Sequence, residues 1–144
     1  MARHDRTHKG EGRYVTLHHY LLQCPAWLGL TVAARAVYVE VAKLYNGSNN
    51  GRLALSVRDA AARCNIARDT ASRAFRELVD AGFLEETRHG RLSRKTRIAS
   101  EWRMTAHYCD LTGSTGSKMF MQRGRQACPK RRPPVSQNRA SPGL

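Results

Sequence analysis

The segment between Ser56 and Gly82 constrains the fold more than any other part of the chain, because it encodes two short helices separated by a tight turn. Ser56, followed three residues later by Asp59, is a variant of the capping-box pattern and predicts a helix to about Arg63. Apolar residues at three- and four-residue spacing predict a second helix over residues 68–81, ended by Gly82. The sequence therefore predicts a helix-turn-helix.

The segments before this motif predict two more helices. Residues 15–23 carry leucines and a tyrosine at helical spacing, and Pro25 sets a boundary after them. Thr31 is the predicted N-cap of a helix that runs to about Tyr45, with the glycine at Gly47 marking its end. These helices supply the apolar faces against which the motif can pack.

Strand patterns flank the motif on both sides. A short strand is predicted over residues 52–55, a longer one over 83–88, a turn at 89–90 and a last strand over 96–104. This order of elements, which is a helix, a strand, two helices and a hairpin, is that of a winged helix-turn-helix. We therefore predict an α+β, mainly α fold: a three-helix core with a β-hairpin wing, preceded by an extra N-terminal helix.

The net charge of +14 is distributed unevenly along the chain. We predict a flexible N-terminal arm over residues 1–13, a domain over 14–112, and a disordered basic tail over 113–144. The tail contains four of the five prolines and few large apolar residues, so it buries too little surface to offset its chain entropy. A merely solvated tail and a phosphate-binding arm both fit this composition.

Several classes of function are excluded by what the sequence lacks. The four cysteines include no CxxC pair, and no histidine lies at zinc-ligand spacing from them. Residues 113–118 fail the spacing of a phosphate-binding loop, so we interpret them as a linker. No nucleophile–base–acid arrangement can be argued, and no apolar run is long enough to span a bilayer. We expect no cofactor, no metal, no enzymatic activity and no membrane association, and a cytoplasmic location.

The excess of positive charge predicts a nucleic acid as partner. Arg68, Arg73 and Arg76 fall on the outward face of the second motif helix. A helix fits the major groove, where arginines bind guanine edges or phosphates. The alternative is a solvated face on which Arg73 pairs with Glu77 and Arg76 with Asp80.

The predicted wing has a similar excess of charge. Residues 88–97 contain five cationic side chains and no acid, an arrangement that repels itself unless an anion lies close by. We therefore predict contacts with phosphates or with the minor groove. The candidate residues are Arg88, His89, Arg91, Arg94 and Lys95.

Several of these motifs resemble a known family. The stretches 56–61 (SVRDAA), 67–74 (ARDTASRA) and 78–84 (LVDAGFL) resemble the DNA-binding domain of GntR-type repressors, whose general architecture MarR-type regulators share. The wider chain, including 24–27 (CPAW) and 101–104 (EWRM), is similar to small bacterial helix-turn-helix proteins and to the N-terminal winged helices of plasmid and phage replication initiators.

The resemblance implies particular DNA contacts. It implies that Arg58 contacts DNA from the first motif helix, Arg68 and Thr70 from the start of the recognition helix, and His89 from the tip of the wing. Two positions depart from the family pattern. Ala67 replaces the usual serine or threonine cap. Ser72 stands where an arginine is often found, although the neighbouring Arg73 can substitute.

These observations predict a sequence-specific double-stranded DNA-binding protein, which we expect to be a bacterial transcriptional regulator, nucleoid-associated when it is bound. A plasmid or phage replication or maintenance protein that binds origin repeats, a protein-interaction winged helix and an RNA-binding protein remain alternatives. One short recognition helix contacts only a half-site, so a homodimer is plausible. The chain after Met104 is too short for the effector domain of GntR-type repressors, so we expect no small-molecule sensing.

Overall fold

The computed structural model describes residues 12–93 and 95–123. The described residues form six helices and five short strands, in an α+β arrangement that agrees with the predicted fold class. In chain order these elements are α1 (His19–Gln23), α2 (Pro25–Leu28), α3 (Val32–Lys43), β1 (Leu53–Ala54), α4 (Val57–Cys64), α5 (Arg68–Asp80), β2 (Leu84–Arg88), β3 (Arg91–Leu92), β4 (Arg97–Ile98), β5 (Glu101–Met104) and α6 (Met119–Arg123).

The N-terminal helix is shorter than predicted. Residues 12–18 have no regular secondary structure, α1 begins only at His19, and Pro25 starts the separate helix α2. The predicted helix over residues 15–23 is therefore wrong in its first half. Two β-branched residues near its start disfavour the helix, and the side chain of His18 makes no capping hydrogen bond.

Helix α3 begins as predicted and ends earlier than predicted. The hydroxyl oxygen of Thr31 accepts a hydrogen bond from the backbone N–H of Ala34 at 3.3 Å, which confirms Thr31 as the N-cap. The helix ends at Lys43 and not at Tyr45. Gly47, with a φ of +99°, lies in the following loop and is not the C-terminal glycine of the helix.

The first motif helix, α4, follows the predicted capping pattern with one difference. The Ser56 hydroxyl oxygen accepts from the backbone N–H of Asp59 at 3.1 Å. The Asp59 carboxylate then accepts the hydroxyl proton of Ser56 at 2.8 Å and does not bind the N-cap backbone as in a standard capping box. The helix ends in a left-handed Asn65, with a φ of +54°, which makes the tight turn toward α5.

The second motif helix, α5, ends in a complete Schellman motif at the predicted glycine. The backbone N–H of Phe83 donates to the carbonyl of Leu78 at 2.9 Å, and that of Gly82 donates to Val79 at 3.0 Å. Gly82 has a φ of +85°, and a Cβ there would lie 2.8 Å from the backbone nitrogen of Phe120. Both the turn and the close approach of the C-terminal segment therefore require glycine.

The main sheet contains three antiparallel strands in the order β1–β5–β2. Leu53 and Leu84 lie opposite Trp102 and Met104 of the central strand, so the inward faces of all three strands are apolar. This sheet packs beside α5 and closes one side of the core.

The last predicted strand, over residues 96–104, is wrong as a single element. Its first part, β4, pairs with β3 in a separate two-stranded ladder, which we call the distal ladder, and its second part is β5. The break falls at Ser100, whose carbonyl accepts from the N–H of Leu55 and whose hydroxyl accepts from the N–H of Gly90, both at 3.0 Å. These long-range bonds interrupt a run that is continuous in the sequence.

The centre of the core is aromatic. Trp27, Tyr38 and Phe83 pack edge to face with ring centroids 5.4–5.8 Å apart. Phe75 stacks on Trp102 at 4.5 Å. All five rings are buried.

The described fold continues past residue 112, beyond the predicted domain boundary. Residues 105–118 lead back to the core, where Phe120 of α6 stacks on Phe83 at 4.7 Å and is fully buried. From the same helix, the Arg123 guanidinium donates to the last carbonyls of α5, at 2.8 Å for Val79 and 3.2 Å for Asp80.

The predicted terminal segments lie mostly outside the described residues. The parts outside are residues 1–11 of the predicted arm and residues 124–144 of the predicted tail. Arg94, a predicted site residue, also lies outside the described residues. Within residues 12–93 and 95–123, no helix has the length and apolarity that crossing a membrane requires. The same residues contain no cluster of histidine, cysteine and acidic side chains that could hold a metal ion.

Candidate nucleic-acid interface

Helix α5 separates its apolar and cationic residues cleanly. Ala71, Ala74, Phe75 and Leu78 are buried against the core. The opposite side exposes three of the predicted site residues and partly exposes two more. The exposed ones are Arg68, Arg73 and Arg76, and the partly buried ones are Thr70 and Ser72.

The ion pairs of the alternative interpretation, in which α5 has a solvated face, do not form. The Glu77 carboxylate instead accepts from the start of α3, at 2.8 Å from the backbone N–H of Thr31 and 2.7 Å from its hydroxyl. Among the described residues, neither Arg73 nor Arg76 forms an ion pair. The arginines on this face are therefore not neutralised by the acids one turn away.

A cleft of about 690 Å³ lies where the starts of α4 and α5 face the distal ladder. Four arginines line it, against one acid, Asp59. We call it the arginine cleft, and its arginines are Arg58, Arg68, Arg91 and Arg97. The fold thus brings together three predicted site residues that are 10 to 33 positions apart in the sequence. Arg97 is a further member, whose only sequence signal is its place in the cationic run 88–97.

A second, smaller depression of about 420 Å³ lies beside it, between α5 and β2. It contains Ser72, Arg76 and His89, and the buried ring pair of Phe75 and Trp102 lies beneath them. The predicted residues of the motif and of the hairpin therefore meet on one side of the domain.

The hairpin cations are not all alike. Arg88 lies 3.6 Å from the Glu101 carboxylate, and His89 lies 3.0 Å from that of Glu86. Residues 88–97 contain no acid, but acids just outside this run therefore lie close to two of its side chains in the fold. Exposed pairs of this kind contribute little stability. Arg91, Lys95 and Arg97 form no ion pair with any described residue.

The orientation of α5 depends on residues that the sequence analysis did not identify. Glu77 ties the middle of the helix to Thr31, and Arg123 binds its last carbonyls. At the other end, Ala67 makes no capping bond, so the first N–H groups of α5 have no side-chain acceptor there. Asp69 lies in this first turn, where its charge favours the helix.

A third open cavity, of about 720 Å³, contains none of the predicted site residues. It lies between residues 12–18 and the end of α3, and the stacked rings of Tyr45 and His107, 5.0 Å apart, form part of its wall. Burial, together with the nearby His18, lowers the pKa of His107. This cavity is separate from the cationic surface.

The fold and its charged face define the centre of the chain as a helix-turn-helix domain. Residues 28–84 match the family model of a helix-turn-helix domain. The match includes α3, α4 and α5 and ends at the start of β2, so it contains the candidate residues from Arg58 to Arg76 but none of those in the hairpin. No curated protein and no solved structure gives a significant match to the chain.

Proposed function

We propose that the chain is a sequence-specific double-stranded DNA-binding protein of the winged helix-turn-helix type, which acts by binding and not by catalysis. In this proposal α5 is the recognition helix, and the hairpin with its distal ladder is the wing. The observation that carries the proposal is the row of exposed arginines on α5, free of ion pairs with described residues and continuous with the arginine cleft.

The chemistry of this face suits duplex DNA. A helix inserted in the major groove presents Arg68, Arg73 and Arg76 to guanine edges and phosphates, and the hydroxyls of Thr70 and Ser72 to either. Arg58, at the start of α4, lies across the arginine cleft from the distal ladder and is placed to bind the phosphate backbone there.

The test is a fluorescence anisotropy titration against duplexes selected from a random pool. Replacing both Arg68 and Arg73 by alanine removes two groove contacts, so we expect affinity for the selected duplex to fall about a hundredfold at about 150 mM salt. We also expect the variant to lose most of its preference for the selected duplex over a scrambled one, because base contacts carry that preference.

The matched control replaces Arg13 and Lys43 by alanine. This pair removes the same charge but lies on neither the arginine cleft nor the second depression, so its effect should stay within a few fold. Equal losses in the two double variants would show that only total charge matters. Affinity of the unmodified chain no tighter than the nonspecific range of about 10⁻⁴ to 10⁻⁶ M would favour a protein-interaction role instead.

We propose further that the DNA-binding activity serves transcriptional regulation in bacteria, with the chain bound to the nucleoid in the cytoplasm. The resemblance of the motif helices to GntR-type repressors supports this choice. Sequencing of the DNA bound to the chain in cells tests it. Enrichment upstream of genes supports regulation, whereas enrichment at repeats of a plasmid or phage origin contradicts it and indicates a replication role. A palindromic selected site would indicate a homodimer.

A further inference from the structure

Leu92 is the most exposed large apolar side chain among the described residues. Its exposed fraction is 87%, above that of Val32 at 82% and Leu28 at 64%. It makes no contribution to the hydrophobic core. A leucine in this position gains nothing from burial in the free protein, so its apolar surface is available to a partner.

The side chain lies at the very end of the distal ladder. Leu92 is paired with Arg97 across the ladder, and the next residue begins the turn, in which the N–H of Ser93 donates to the carbonyl of Thr96 at 3.1 Å. The ladder has two strands and therefore a width of about 5 Å between its backbones. We call this last pair the tip of the ladder, and it carries one exposed apolar side chain, that of Leu92.

The surroundings of Leu92 are cationic. Arg91, Lys95 and Arg97 are exposed and form no ion pair with any described residue. Leu92 also lines the arginine cleft, which Arg58 and Arg68 line as well. An apolar tip flanked by cations matches a DNA groove, where bases lie between two rows of phosphates.

We propose that Leu92 inserts between two base pairs from the minor groove, partly unstacks them and kinks the duplex. This inference rests on the proposed function and adds to it a residue that acts through DNA shape. Apolar side chains that wedge between base steps enter DNA from the minor groove. Cations beside the tip hold the flanking phosphates while the leucine contacts the unstacked faces of the bases.

The proposal assigns a specificity to Leu92. Pyrimidine–purine steps, above all TA, unstack most easily, so the step under Leu92 should be of this type. The preference would arise from the energy of deformation and not from hydrogen bonds to base edges. It is therefore separable from the contacts of α5.

The experiment uses the full chain and the tightest duplex recovered from the random pool. Fluorescent 2-aminopurine replaces one adenine at a time, and a dye pair at the duplex ends reports bending. We expect binding to raise 2-aminopurine emission several fold at one step only, and to bring the ends closer together. Leu92→Ala should abolish both signals and weaken binding about tenfold, as expected for losing part of a leucine contact.

Two variants serve as controls. Leu28→Ala removes another exposed leucine that lies on neither the arginine cleft nor the second depression, and it should leave both signals intact. Leu92→Met keeps an apolar side chain and should retain the kink. Circular dichroism should be unchanged in all three, because the altered side chains are exposed.

The outcomes separate this inference from the proposed function. If the unmodified chain binds its duplex without unstacking or bending, or if Leu92→Ala keeps both signals, the wedge is overturned while DNA binding stands. If the Arg68 and Arg73 double alanine variant binds as well as the unmodified chain, the assignment of α5 fails independently of Leu92. If the unmodified chain binds no duplex, both proposals fail.

Discussion

A single buried amide, Asn50, connects the loop after α3 to the end of the sheet. It is fully buried, and its Nδ2 donates to the carbonyls of Met104 at 2.9 Å and Tyr108 at 2.8 Å. Its Oδ1 accepts from the N–H of Met104 at 2.8 Å, and its backbone N–H donates to the Asp110 carboxylate at 2.9 Å. One side chain therefore binds both backbone groups of the buried Met104 and the carbonyl of Tyr108.

Replacing Asn50 by alanine should lower the free energy of unfolding by about 2 kcal/mol, because the N–H of the buried Met104 loses its partner and the carbonyls of Met104 and Tyr108 each lose a donor. Urea denaturation measures the change. Asn46→Ala is the control: Asn46 is exposed and bonds only within its own loop, so its loss should stay below about 1 kcal/mol. Similar losses for both variants would contradict the role given to Asn50.

The sequence offered no signal for this role. Asn50 stands in a stretch of serine, asparagine and glycine that predicts only a loop. Its side-chain partners lie 54 to 58 positions later in the chain. Local patterns report on neighbours within a helical turn or across a hairpin, so a polar contact of this range emerges only from the folded structure.

At the scale of elements, the helices were more predictable than the strands. The caps of α3, α4 and α5 at Thr31, Ser56 and Gly82 are local, and the structure confirms all three. The division of the last strand was missed because Ser100 breaks it through bonds to distant residues. The candidate site shows the same contrast: the arginines of α5 were predicted from spacing, whereas the position of Glu77 against Thr31 was not.

Helix α5 carries one unused capping position. Ala67 has the extended backbone of an N-cap, with φ −66° and ψ 152°, but no oxygen to accept from the first turn. Ala67→Ser should therefore raise the free energy of unfolding by about 1 kcal/mol. The matched control, Ala62→Ser, places the same side chain inside α4 at an exposed position, where serine is slightly unfavourable. Urea denaturation measures both changes. If both substitutions stabilise the fold, or if neither does, the capping argument is contradicted.

At the scale of the whole molecule, the C-terminal segment closes the domain around the motif. Thr105 donates its hydroxyl proton to the Gly82 carbonyl at 2.6 Å, and its own carbonyl accepts from the N–H of Lys118 at 2.9 Å. This pairing brings α6 onto the end of α5. Residues 113–144 of this part of the chain are predicted to be a linker and a disordered tail, because they contain four of the five prolines and few large apolar residues. Phe120 is its one fully buried aromatic residue. A single aromatic residue is too weak a pattern to predict that the segment packs against the core.

The contribution of this segment to stability can be measured at Phe120. Phe120→Ala should lower the free energy of unfolding by about 3–5 kcal/mol, because it removes a fully buried ring and leaves a cavity beside Phe83. That is a large share of the 5–15 kcal/mol typical of a domain, so thermal unfolding should begin at a clearly lower temperature.

Met121→Ala, at the next position and 47% exposed, is the control and should cost less than about 1 kcal/mol. If both variants unfold like the unmodified chain, α6 does not belong to the cooperative unit, and the domain ends near residue 112 as its sequence predicts. If only Phe120→Ala is destabilised, α6, whose Arg123 binds the end of α5, folds together with α5. The cationic face then depends on a segment that lies outside the matched helix-turn-helix region.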